Sequence, residues 1–148
     1  SKICQNFINR KNPSAPVKGE MMAKAAKNTF LTYHKYIPPE LALAQLVTEG
    51  GIGNPNPNSR PIRSKNPFNV GNTETGTHNM VSVEDAINTY YDTSARGYLG
   101  KNKKASDLLA NFVNHENERY ASTHTYEKTL SSVARQVNRL SKELRFTA

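Results

Sequence analysis

The 148-residue chain contains a single cysteine, Cys4, so no internal disulfide can staple it. It contains no apolar run long enough for a membrane-spanning helix. The pair Phe7–Ile8 is far shorter than the apolar region of a secretory signal. The four histidines, His34, His78, His115 and His124, show no HExxH-like spacing and no cysteine pairing. Neither a zinc site nor a cofactor is therefore expected. A nucleophile elbow for acyl transfer and an internal repeat are also missing from the sequence. At this length one domain buries about two-thirds of its unfolded surface, so it needs no metal or bridge to fold.

Positive charge, in contrast, is in excess: 20 Lys and Arg stand against 12 acids, a formal net charge of +8. Residues 1–39 hold seven basic groups against Glu20, and residues 101–148 hold nine against five. The middle, residues 40–100, is slightly acidic, with four against six. A basic body attracts a polyanion such as nucleic acid, an anionic membrane or bacterial cell wall, with a strength that falls with salt. A solvated basic surface is the plain alternative. Lys101, Lys103 and Lys104 read as a solvated loop; together with Arg135, Arg139 and Lys142 they can also grip an anionic glycan or nucleic acid.

Residues 1–17, with Pro13 and Pro16, read as an irregular lead-in to a domain over 18–148. Met22, Ala25, Ala26, Thr29, Phe30 and Tyr33 recur at helical spacing and predict a helix over Val17–Tyr36. Pro39 suits the first turn of a second helix, to about Glu49, which is apolar nearly all round and hence central. Residues 50–82 are rich in Gly, Pro, Asn, Ser and Thr without helical period, which predicts a long irregular loop. A short hairpin near Val70–Val81 fits within it. Ser82 with Asp85 resembles a capping box opening a helix that turns Val83, Ala86, Ile87 and Tyr90 inward. A shorter helix starts at Ser106 or Asp107, and a last one spans about His124–Leu144, with Tyr126, Leu130, Val133, Val137 and Leu140 at spacings of three and four. The expected fold class is mainly α.

The segment QLVTEGGIGN, residues 45–54, places a lone acid, Glu49, at the last turn of the apolar helix. The carbonyl end of a helix disfavours an ionised carboxylate, which suits an acid that must keep its proton. Raising a Glu pKa by about two units requires about 3 kcal/mol. The helix end supplies only ~0.3–1 kcal/mol, so apolar burial must supply the rest, with Phe68 expected as the lid. Such an acid can protonate the leaving oxygen of a glycosidic bond. Gly50 and Gly51 suit a left-handed helix cap and also let a bulky polymer approach the backbone. The tyrosines Tyr90, Tyr91, Tyr98, Tyr120 and Tyr126 read as core packing or as a sugar-stacking platform.

Four ordered segments carry a resemblance: LALAQLVTEGGIG (Leu41–Gly53), SKNPFNVG (Ser64–Gly71), HNMVSVEDAINTYY (His78–Tyr91) and RYASTHTYEKTL (Arg119–Leu130). They resemble the glucosaminidase-type peptidoglycan hydrolases, glycoside hydrolase family 73, within the lysozyme-like superfamily. The likeness covers roughly residues 18–145. It departs at Gly50, where the family has serine, at Ile52, where it has an aromatic, and at Asn69, where glycine is usual.

The resemblance implies a lysozyme-like domain that cleaves the β-1,4 glycan strand of peptidoglycan. Glu49 would be the general acid, and Tyr120 a tyrosine beside the scissile sugar. Gln45, Ser64, Asn66, Phe68 and Tyr90 or Tyr91 would line the glycan groove. Glu74 is the first candidate for a second carboxylate; its rival Glu84 suits a first-turn dipole partner instead. A muramidase or lytic transglycosylase on the same fold is the close alternative, and a non-catalytic wall-binding or nucleic-acid-binding module a more distant one. The expected partner is the glycan strand, nucleic acid ranking below it, and the expected state a monomer. The expected place of action is the bacterial cell wall, in the periplasm or outside the cell, with a leaning toward a phage-type or excised catalytic domain.

Overall fold

A computed structural model describes residues 2–52, 59–72, 76–100 and 102–147. The architecture is mainly helical, with seven helices and no strand longer than an isolated bridge among the described residues. The helices are α1 (Lys2–Lys11), α2 (Gly19–Tyr33), α3 (Pro39–Thr48), α4 (Arg60–Arg63), α5 (Val83–Gly97), α6 (Ala105–Ala110) and α7 (Thr125–Thr147).

Helix α3 is the hub. Pro39 occupies its first turn, where a missing N–H costs nothing. Every residue from Leu41 to Leu46 is buried, as its all-round apolar sequence requires. It packs chiefly against α7, whose Leu130, Val133, Val137 and Leu140 form one buried stripe. Helices α2 and α5 pack on each other, and α6 closes over α7. Helix α5 starts where Ser82 Oγ accepts the Asp85 N–H at 3.0 Å, as the sequence predicts.

The chain before residue 17 is not an irregular lead-in. Lys2–Lys11 is helical and turns Cys4, Phe7 and Ile8, at spacings of three and four, into the core. The irregular part begins at Asn12, whose side-chain amide donates to the Ile52 carbonyl at 2.8 Å. Helix α2 stops at Tyr33, short of Tyr36, because His34 adopts a left-handed cap with φ 56° and donates its N–H to Phe30 O.

The expected hairpin near Val70–Val81 is absent among the described residues. A single side chain does the work of a strand ladder. The Asn66 amide donates to the carbonyls of Val70 and His78, at 2.8 and 3.2 Å, and its Oδ1 accepts the Val70 N–H at 3.1 Å. Met80 N–H donates to Ser64 O at 2.9 Å. Among its described residues the loop is thus pinned from within, without strand pairing. Among the described residues no helix is long and apolar enough to cross a membrane.

Candidate active site

The end of α3 has the geometry of a Schellman cap. Glu49 is the cap residue, Gly50 follows with φ +82°, and the N–H groups of Gly50 and Gly51 return to the carbonyls of Val47 and Leu46. Gly51 has a second reason. A Cβ there would lie 2.4 Å from Pro67 O and 2.7 Å from Leu46 Cδ1, so the loop bearing residues 66–69 can close only over a glycine. These two glycines serve the helix end and the packing of that loop.

The cap delivers Glu49, half-buried, to the wall of a cleft of about 600 Å³. Thr48, Asn69, Tyr90, Tyr98, Tyr120 and Tyr126 are among the residues that share the wall. Each carboxylate oxygen has one donor. Tyr126 Oη donates to Oε2 at 3.0 Å, and Asn69 Nδ2 to Oε1 at 3.3 Å. Asn69 Nδ2 also donates to the Glu49 backbone carbonyl at 2.8 Å. Asn69 stands in the left-handed region, φ 52°, which explains why a glycine-like position accepts asparagine, the side chain that best tolerates it.

Burial raises the Glu49 pKa, and the bonds from Tyr126 and Asn69, which favour the ionised form, only partly offset it. Desolvation wins, as the arithmetic of the helix end requires. Burial, reinforced by the nearby Glu49 charge, also raises the pKa values of Tyr120 and Tyr126, which keeps both hydroxyls protonated and able to donate.

Behind Glu49 runs a buried relay. Tyr90 Oη donates to Gln45 Oε1, Gln45 Nε2 to Tyr126 Oη at 3.3 Å, and Tyr126 to Glu49. Gln45 and Glu49 therefore do share a helix face, through a common tyrosine. Tyr120 lies beside this line, 5.6 Å from Tyr126 and nearly parallel to it, and donates its hydroxyl to the Phe68 carbonyl at 3.2 Å.

The structure brings Glu49 and Tyr120 to one cleft, with Tyr90, 1% exposed, in the wall behind them. It places the other expected sugar contacts elsewhere. Gln45, Ser64, Asn66, Phe68 and Tyr91 are each at most 2% exposed and do not line the cleft. Phe68 is no lid: it stacks flat on Tyr90, with centroids 3.8 Å apart. Tyr91 packs edge-on against Tyr90, and Ser64 Oγ donates to the Arg60 carbonyl at 2.6 Å. These residues hold the groove's shape and cannot touch a polymer.

Glu84 is exposed in the first turn of α5, 4.0 Å from Lys24, and does not line the cleft. Glu74 lies outside the described residues. Among the described residues Glu49 is the one carboxylate lining the cleft, and no group of three His, Cys, Asp or Glu side chains gathers.

Two site residues escape sequence reasoning. Tyr126 falls in the apolar period of α7 and reads from sequence as core packing or as part of a sugar-stacking platform, with no signal that its hydroxyl end reaches Glu49. Asn69 is visible only as an asparagine at a glycine-like place. A third cleft residue, Arg119, is held by a bidentate pair to buried Glu127, at 2.6 and 2.8 Å. Comparison with protein-family models, with curated proteins and with solved structures finds no match for this chain.

Proposed function

We propose that this protein is a peptidoglycan hydrolase of the endo-β-N-acetylglucosaminidase type, acting on the glycan strand of the bacterial cell wall with Glu49 as general acid. One observation carries the reading: a carboxyl with a raised pKa lines an open cleft and holds one hydrogen-bond donor on each oxygen. Its proton protonates the glycosidic oxygen as the bond to the anomeric carbon breaks. The carboxylate left behind is the form that Tyr126 and Asn69 bind best. Their bonds therefore strengthen as the reaction proceeds, which is where hydrogen bonds accelerate chemistry. The negative charge on Glu49 also faces the cationic sugar formed beside it. Tyr120 lines the same wall with its hydroxyl proton given to the Phe68 carbonyl, which supports a contact with that sugar through its ring or its oxygen lone pair. Water then completes hydrolysis, with Glu74 the candidate to activate it.

Among the described residues one carboxylate lines the cleft, and this favours, as the second reading, a lytic transglycosylase, which uses a single acid and releases an anhydro product. Purified sacculi incubated with wild type and with Glu49→Gln test both. The wild type is expected to solubilise sacculi, with the released ends identified by mass spectrometry. Glu49→Gln is expected to lose at least about a hundredfold in rate, the usual scale for a general acid. Equal solubilisation by the two proteins would overturn the assignment of Glu49.

A further inference from the structure

Helix α7 carries a row of cations that the cleft does not use. At 3.6 residues per turn, Lys128, Arg135, Arg139 and Lys142 fall within about 60° of one another and extend over about 21 Å. All four side chains are exposed. The buried stripe of Leu130, Val133, Val137 and Leu140 lies on the opposite side of the helix, as does Tyr126, which reaches Glu49.

The two acids of α7 are both committed to arginines from other segments. Glu127 is bonded to Arg119 at 2.6 Å and Glu143 to Arg10 at 3.1 Å. Among the described residues, none of the four cations of the row pairs with a carboxylate. The row therefore presents uncompensated positive charge in a straight line, the complement of an extended polyanion.

The side chains around the row narrow the partner. A helix face that enters lipid mixes apolar side chains among its cations. A single-strand nucleic-acid face adds aromatic platforms on which bases stack. Between Lys128 and Lys142 the exposed positions beside the row are Thr129, Ser132 and Asn138, all small and polar. One turn beyond Lys142 on the same face Phe146 is exposed, a single aromatic at the end of the row rather than a series of platforms along it. The small polar positions suit a backbone of phosphates and hydroxyls, with at most one apolar contact at the helix end.

We propose that the outward face of α7 binds a linear phosphodiester polymer, the polyol-phosphate chain of a bacterial wall, through Lys128, Arg135, Arg139 and Lys142. The choice of a wall polymer over other phosphodiesters rests on the hydrolase reading above. A polymer held on this face leaves the cleft on the far side of α7 open to a glycan strand.

The test measures retention on immobilised poly(glycerol phosphate) across a salt series. The fourfold variant Lys128→Gln/Arg135→Gln/Arg139→Gln/Lys142→Gln is compared with Lys2→Gln/Lys18→Gln/Lys24→Gln/Lys27→Gln, which loses the same net charge from exposed positions elsewhere. At ~0.7 released counterions per contact on a single strand, the row variant should show a slope of log affinity against log salt shallower by about three. Its affinity at low salt should fall at least about tenfold, while the control variant changes by less than about threefold. Equal losses in the two variants would overturn the proposal, because bulk charge would then suffice. Tighter binding of the wild type to duplex DNA or to phosphatidylglycerol vesicles at matched salt would overturn the choice of polymer. Circular dichroism confirms that each variant is folded. Retention is also measured on Glu49→Gln and is expected to equal that of the wild type. A failure of the hydrolase reading thus shows in the sacculus assay, and a failure of the binding proposal shows in retention.

Discussion

The Tyr126 hydroxyl donates to Glu49 Oε2 at 3.0 Å because its own oxygen already accepts from Gln45 Nε2 at 3.3 Å. With Gln45 held by Tyr90 on its other side, the direction of every bond in the line is set. Glu49 therefore accepts a hydrogen bond at this oxygen and donates none to the line, which leaves its own acidic proton for the cleft.

Replacing Tyr126 with Phe removes one donor that favours the ionised carboxylate, and the Glu49 pKa rises further. On the hydrolase reading proposed above Glu49 works protonated, so activity is expected to fall as pH rises through that pKa. The alkaline limb of the activity profile should move up by about 1–2 pH units, the value of one hydrogen bond to a charged group. The maximal rate should drop, because the carboxylate formed in the reaction loses the same bond. Sacculus solubilisation rates measured across pH for the wild type and Tyr126→Phe check this. An unmoved limb would mean that another group sets it.

Gly51→Ala should act on the loop and the site together. The new Cβ meets Pro67 O at 2.4 Å, a backbone atom that cannot swing aside. Overpacking of this kind costs about 1–3 kcal/mol. Relief requires residues 66–69 to move away, and Asn69 moves with them, off both the carbonyl and the carboxylate of Glu49. Urea unfolding should report the lost stability and the activity assay a larger loss. Full activity in a destabilised protein would show that Asn69 is dispensable to the acid.

Glu127 titrates the other way from Glu49. Arg119, with the Phe112 N–H adding to it, lowers the Glu127 carboxyl from 4.5 to about 2. A carboxyl depressed in the folded state contributes stability that is present above its unfolded pKa and is lost as pH falls through its folded one. Glu127→Gln should therefore destabilise the protein at neutral pH by about 2 kcal/mol, the scale of hydrogen bonds to a charged group. The difference from the wild type should shrink between about pH 4.5 and pH 2. Thermal midpoints of the two proteins over that range provide the check, and a gap that persists at pH 2 would count against the linkage.

Much of the helical frame was legible because its signals are local. Pro39, the pair Ser82 and Asp85, and the stripe of α7 each declare themselves within a turn or two of chain. Helix α1 was missed although Cys4, Phe7 and Ile8 carry the right spacing; three apolar residues among polar ones give a weak period, and only packing completes it. The site was legible in part for the same reason. Glu49 stands out because a helix end and two glycines surround it in sequence. Asn66 and Phe68, in contrast, look like contacts for a ligand until the loop folds. Asn66 then proves to be the pin of that loop, and Phe68 the partner of Tyr90.

The sequence alone determined that the chain is mainly helical, that Glu49 ends a buried apolar helix, and that the helix-end field is too weak to tune that acid unaided. Those conclusions rest on periodicity, capping chemistry and magnitudes, all of them short-range. Only the tertiary structure decided what supplies the rest: burial beside Tyr126 and Asn69, one brought by a helix 77 residues away and the other by a loop 20 residues on. Desolvation and donor geometry depend on which surfaces meet, and no local pattern in the chain encodes that meeting.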